Sequence, residues 1–144
     1  EQITYLLFMK LLDDSQLKRE ATANAFGVKL ENAVFKNGEC VVSEVPRVVY
    51  NYDDLRWNVF HNFDPEKMLS TVQNYVFPFI KQIGDGRNTA FSRYMKKAVF
   101  LIPTPDVLVA VVDKIDSMDL NNKDIMSDVY ECLLGKIFSA AENG

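Results

Sequence analysis

Apolar residues crowd the start of the chain. Ile3, Tyr5, Leu6, Leu7, Phe8, Met9, Leu11 and Leu12 cover nearly every side of a helical projection, as in a central buried helix. From Asp13 the segment turns polar while Leu17 and Ala21 stay in step with the apolar stripe. The spacing therefore predicts one long helix over residues 3–25, with Gly27 as its C-terminal stop. A buried strand over residues 5–12 is the competing reading, and the lack of β-branched residues there argues against it.

The pattern then weakens. Asn37-Gly38 suits a two-residue hairpin turn, and Cys40-Val41-Val42 and Val48-Val49-Tyr50 have β character, interrupted by Pro46. One small β-hairpin near residues 34–50 is expected within otherwise irregular chain. Asp53 is placed to cap a short helix carrying Leu55, Trp57, Val59 and Phe60.

Later helices carry clearer start signals. Asp64-Pro65-Glu66 supplies a capping acid, a proline at the first helical position and an acid that suits the helix dipole. Met68, Leu69, Val72, Val76, Phe79, Ile80 and Ile83 follow at helical spacing up to Gly84, and Pro78 inside the run should kink or split it. Thr104-Pro105-Asp106 repeats the signal ahead of Val107, Leu108, Val111, Val112 and Ile115. A last amphipathic pattern runs through Ile125, Met126, Val129, Tyr130, Leu133, Leu134, Ile137 and Phe138. The fold class is mainly α, a multi-helix bundle. The 144 residues suit a single helical domain, 1–144. The chain opens directly into apolar sequence and stops just after a helical pattern, so we expect it to be a fragment of a longer protein.

Composition narrows the chemistry. A 48% hydrophobic and 25% charged content is globular rather than disordered, and 10 Phe and 6 Tyr need a core or an interface. The net charge of -4 runs against a broad nucleic-acid footprint, so any DNA contact must be local or made through a partner. Cys40 and Cys132 form no C-x-x-C pair and suit a reducing cytoplasm. No apolar run approaches the roughly 20 residues of a membrane span.

No catalytic, cofactor-binding or metal-ligating set emerges. Gly84-Asp85-Gly86 follows a predicted helix rather than a strand and lacks a third glycine, which makes it a helix end and turn. His61, the one histidine, lies among aromatics with no ligand-spaced partner and reads as structural. The paired acids Asp13-Asp14 and Asp53-Asp54 point apart on a helix and read as helix-end or solvated groups. One basic segment remains: Arg87, Arg93, Lys96 and Lys97, interleaved with Phe91 and Tyr94. It fits either contact with nucleic-acid phosphates or a partner, or a solvated face above two core aromatics.

Several segments together carry a family resemblance. Asp124-Ile125-Met126-Ser127-Asp128-Val129-Tyr130-Glu131-Cys132-Leu133-Leu134, with Phe138-Ser139-Ala140 and Gly144, resembles the pattern "D-x-x-x-x-x-Y-E-x-L-L … F-A … G". That pattern closes the helical N-terminal domain of the modification subunit of type I restriction–modification systems. Leu6-Leu7-Phe8-Met9-Lys10-Leu11-Leu12-Asp13-Asp14 is similar to the family's opening helix, "L-F-L-K-x-L-D-D", and Leu55-Arg56-Trp57 and Ile102-Pro103-Thr104-Pro105 fit its middle. The order and spacing of these segments span essentially the whole chain.

The resemblance implies a parent protein that transfers methyl groups from S-adenosylmethionine to the exocyclic amine of adenine in DNA. It implies a specificity subunit that reads the sequence, and often a restriction subunit. The helical domain would assemble this complex and close it around DNA. The family's catalytic and cofactor motifs would lie beyond Gly144, so no residue here inherits those roles. The alternative is a free-standing helical interaction module with no methyltransferase attached.

Overall fold

The structure, a computed structural model, describes residues 2–83 and 90–118. It is mostly helical with one small antiparallel sheet. Helix α1 spans Gln2–Ala25. Strands β1 (Glu39–Glu44) and β2 (Arg47–Asn51) follow, then a 3-10 turn (Tyr52–Leu55) and α2 (Trp57–Phe60). Helices α3 (Pro65–Thr71) and α4 (Phe77–Ile83) flank a π-helical turn (Val72–Val76), and α5 (Ala90–Lys96) and α6 (Pro105–Asp116) come last. The predicted helix over 125–138 lies outside the described residues.

The long first helix forms as its pattern predicts, and Gly27, at φ 64°, ends it. Its buried stripe runs differently. Leu6, Met9, Asp13, Gln16 and Ala23 face inward, whereas Leu17 is 39% exposed and Ala21 is also exposed. The stripe does not leave the core at Asp13. It changes from apolar to polar, because Asp13 and Gln16 find partners on elements folded against them. Gln16 clamps the Phe35 backbone from both sides: Nε2 donates to the Phe35 carbonyl at 2.8 Å, and Oε1 accepts the Phe35 N–H at 2.8 Å. Gln2 does the same across residues 99–101, donating to the Val99 carbonyl at 3.0 Å and accepting the Leu101 N–H at 2.8 Å. Such a two-way amide bond satisfies chain that has no secondary structure of its own.

Contacts along α1 are ordered. Arg19 holds the carbonyls of Glu31 and Asn32, Gln16 holds Phe35, and Asp13 holds Arg56 and Asn58. Lys10 pairs with Asp116, and Tyr5 packs against Phe77 and Tyr94. These partners of Arg19, Gln16 and Asp13 fall at residues 31–58, and those of Lys10, Tyr5 and Gln2 at residues 77–116.

The predicted strands pair, but not around the predicted turn. Asn37-Gly38 precedes β1, and the hairpin turns at Val45-Pro46, whose peptide bond is cis. Gly38, at φ 86°, instead leads into β1, and its carbonyl accepts the Tyr52 N–H at 3.0 Å. The register shifts at a bulge between Val41 and Ser43, and Cys40 and Val42, two apart in the strand, both face the core. Asp53 is not the cap expected of it. Asn51 caps the 3-10 turn, its side chain accepting the Asp53 N–H at 2.9 Å.

The two proline-marked starts form as predicted: Asp64 caps Lys67 and Thr104 caps Val107 through their side-chain oxygens. The run that holds Pro78 is divided, as expected, into α3, a π-helical turn and α4. The chain widens one turn earlier, where the Phe77 N–H reaches back to the Val72 carbonyl, and Pro78 then enters α4 with no donor to place. Val72, Val76, Phe79 and Ile80 bury here against Leu6, Trp57, Phe60, Leu108, Val112 and Ile115 in one core. Val107, expected in the α6 stripe, is exposed at its margin. No helix among the described residues is long and apolar enough to cross a membrane.

Candidate functional site

Arg93, Lys96 and Lys97 sit three and four residues apart on and just after α5, so they share one face, and all three are exposed. Met95 and Ala98 anchor the opposite side in the core, and Lys81 fastens the helix end by donating to the Ala98 carbonyl at 3.0 Å. Among the described residues no carboxylate pairs with Lys96 or Lys97. Tyr94 packs on Tyr5 at 6.0 Å between ring centroids, so this aromatic serves the core. Arg87 and the Phe91 side chain lie outside the described residues, as does Gly84-Asp85-Gly86. Of the aromatics that need a core or an interface, Phe60 and Phe77 are buried, while Phe63 and Tyr75 are half-buried. Tyr75 stacks on Tyr50 at 3.8 Å, and the Phe63 ring lies under Lys67.

The second constellation is a polar junction that joins α1, α2 and α6. Asp13, far from being solvated, is fully buried. It accepts from Arg56 Nε at 2.6 Å and from the Asn58 N–H at 2.8 Å. The remaining guanidinium nitrogens of Arg56 hold Glu20 at 2.7 and 3.2 Å. The hydrogen bond from Arg56 holds the Glu20 carboxyl below its ordinary range, against the opposing effect of burial. Burial alone would lower Arg56, but its bonds to Glu20 and Asp13 outweigh it and raise the guanidinium further. One planar fork thus bridges two carboxylates, a geometry lysine does not offer.

Next to it, Asp116 at the end of α6 gathers three donors. Trp57 Nε1 lies at 2.7 Å, His61 Nδ1 at 3.0 Å and Lys10 Nζ at 3.6 Å. Burial would raise this carboxyl, yet the bonds from Trp57 and His61 and the charge of Lys10 hold it below its ordinary range. Lys10 also lies over the Trp57 ring at 5.7 Å and pairs with Asp14.

The junction ties α1, α2 and α6 together. Its carboxylates are occupied by fixed donors. Cys40 lies elsewhere, buried, with burial pushing its thiol up, the opposite of an activated thiolate. Among the described residues no group of three or more His, Cys, Asp or Glu is placed to hold a metal ion.

Sequence reasoning sets Asp13 aside as solvated and gives Arg56 no role. The signal that could have found them is the resemblance itself. The Lys10-Leu11-Leu12-Asp13-Asp14 and Leu55-Arg56-Trp57 segments meet in space as Asp13 with Arg56 and Lys10 with Trp57. The segment Ile102-Pro103-Thr104-Pro105 starts the helix that delivers Asp116. Among the described residues, the segments that carry the likeness take part in this junction.

A family model described as the HsdM N-terminal domain matches residues 1–115. No curated protein and no solved structure matches the chain. The family match ends within α6, so the closing pattern from Asp124 lies outside both the matched span and the described residues. The matched span holds the opening helix, the Arg56 junction and the cap of α6, and the chain belongs to the HsdM N-terminal domain family, the N-terminal domain of the methyltransferase subunit of type I restriction–modification systems.

Proposed function

We propose that this domain assembles a type I complex and closes it around DNA. It works in the cytoplasm with a specificity subunit that reads the DNA sequence, and with a restriction subunit in systems that carry one. Methyl transfer from S-adenosylmethionine to adenine belongs to the catalytic part of the parent protein. We assign the cofactor to that catalytic part. Family membership favours this reading over a free-standing interaction module.

The observation that carries the DNA part is the α5 face. Three exposed cations lie together in a chain of net charge -4, two of them without a carboxylate partner among the described residues. Such a patch neutralises backbone phosphate without reading bases, as a clamp requires. The test uses the assembled complex with Arg93, Lys96 and Lys97 replaced by Ala. DNA affinity should fall, and the slope of log affinity against log salt should flatten by roughly 0.9 for each phosphate no longer neutralised. An unchanged slope refutes the clamp face.

A further inference from the structure

The end of α1 builds a groove that the polar junction does not use. Gly27 reverses the chain, the Val28 N–H returns to the Ala23 carbonyl at 2.9 Å, and the following residues run back along the helix. Arg19 pins them there through the Glu31 and Asn32 carbonyls, and Asn32 takes up a left-handed turn at φ 56°. The result is an open groove of about 670 Å³. Ala23, Phe26, Val28 and Leu30 contribute apolar surface, and Lys18 and Lys29 stand at its rim. Phe26 is 76% exposed and Val28 60%. A large aromatic and a β-branched residue left in water side by side, on a loop held in place by an arginine, mark an interaction surface.

Its charge identifies the occupant. Lys18, Arg19 and Lys29 face a single acid, Glu31, so the groove is locally cationic in an acidic chain. Among the described residues no carboxylate pairs with Lys18 or Lys29. Single-stranded nucleic acid calls for successive aromatic platforms, and this groove has one aromatic. A duplex backbone calls for a cationic track rather than a floor of Ala23, Val28 and Leu30. We infer that the groove between the C-terminal half of α1 and residues 26–32 docks a protein segment bearing apolar side chains flanked by carboxylates, supplied by another subunit of the complex. This deepens the proposed assembly role and rests on it, while the surface is separate from the α5 face.

The test takes the full-length methyltransferase subunit and overlapping peptides of about 15 residues covering the other subunits encoded with it. Retained peptides are labelled and titrated by fluorescence anisotropy, with circular dichroism as the folding control. The expected peptides carry paired apolar residues beside Asp or Glu. Phe26→Ser should weaken them about tenfold or more. Lys18→Glu with Lys29→Glu should weaken them further, and added salt should do the same to the unmodified subunit. Retention of no peptide, retention only of peptides without carboxylates, affinity indifferent to Phe26→Ser, or a short DNA duplex bound through these same residues overturns the inference. The α5 substitutions should leave peptide binding unchanged. If the salt slope of the complex ignores α5 while the acidic peptides still bind, the clamp reading alone fails.

Discussion

Replacing Arg56 with methionine keeps much of the side-chain volume beside Phe35 and removes the charge. Asp13 then remains in a site where its side chain is 1% exposed, with the Asn58 N–H still donating to it. Removing one partner of a buried pair strands the other charge and costs about 3–5 kcal/mol. Glu20 is also bonded to Arg56, but its side chain is 35% exposed, so solvent screens it. Glu20→Gln should therefore cost only about 0.2–1 kcal/mol. The double change Asp13→Leu with Arg56→Met removes both charges and leaves chiefly one unsatisfied N–H, at about 1–3 kcal/mol. It should be more stable than Arg56→Met alone. Trp57 is the chain's one tryptophan, is buried and touches this junction, so its fluorescence reports unfolding in urea directly. A loss of about 4 kcal/mol moves the midpoint by roughly 2 M for an m value near 2 kcal/mol/M. A loss for Arg56→Met below about 1 kcal/mol, or one matched by Glu20→Gln, refutes the placement of a dominant buried charge pair here.

Two further outcomes follow from the same side chains and their neighbours. Glu20 and Asp116 have folded pKa values below their ordinary 4.5 and 3.8, so the unfolded chain binds more protons; the stability they add is full above those values and drains as pH falls through the lower folded ones. Urea midpoints should drop steeply below about pH 4, less so in Glu20→Gln with Asp116→Asn, and equal acid slopes for the two proteins contradict this. Cys40 is 3% exposed and its thiol is raised above 9.0 by burial, with a bond to Tyr52 opposing. In a Cys132→Ser background a thiol reagent at pH 8 should label Cys40 far more slowly in buffer than in urea, and equal rates would place it at the surface.

The parts of the fold legible in the sequence are those set locally. Asp64-Pro65 and Thr104-Pro105 each start a helix where they stand, because cap and proline act within one turn. Strands at Cys40 and Val49 are visible in their β-branched neighbours. The turn between them is not, because Asn37-Gly38 has turn chemistry but the pairing register places the reversal at Val45-Pro46. A solvated Asp13 fails as an expectation for a similar reason. Its burial depends on Arg56, 43 residues away, and no local periodicity carries that distance. Leu17 and Ala21 match the helical spacing, yet the buried stripe there is held by Gln16 and Asp13. The α5 cations are legible as a cluster, and their shared face follows from helical spacing; the groove behind Phe26 depends on how Arg19 folds the loop back, which the sequence alone does not state.

The ordered partners of α1 have a consequence for synthesis. The helix is made before its partners, and those of its C-terminal half arrive first: Glu31 and Asn32 for Arg19, Phe35 for Gln16 and Arg56 for Asp13, with Leu101 for Gln2 and Asp116 for Lys10 only later. Early closures span few residues and late ones about a hundred, and because closure cost grows only slowly with span, the early ones lighten the late ones by shortening the loop left to close. At about 5–20 residues per second the most apolar third of the helix waits several seconds for its last partners. The nascent chain can fasten the C-terminal half of this helix while its least soluble stretch, nearer the N-terminus, still waits to be covered.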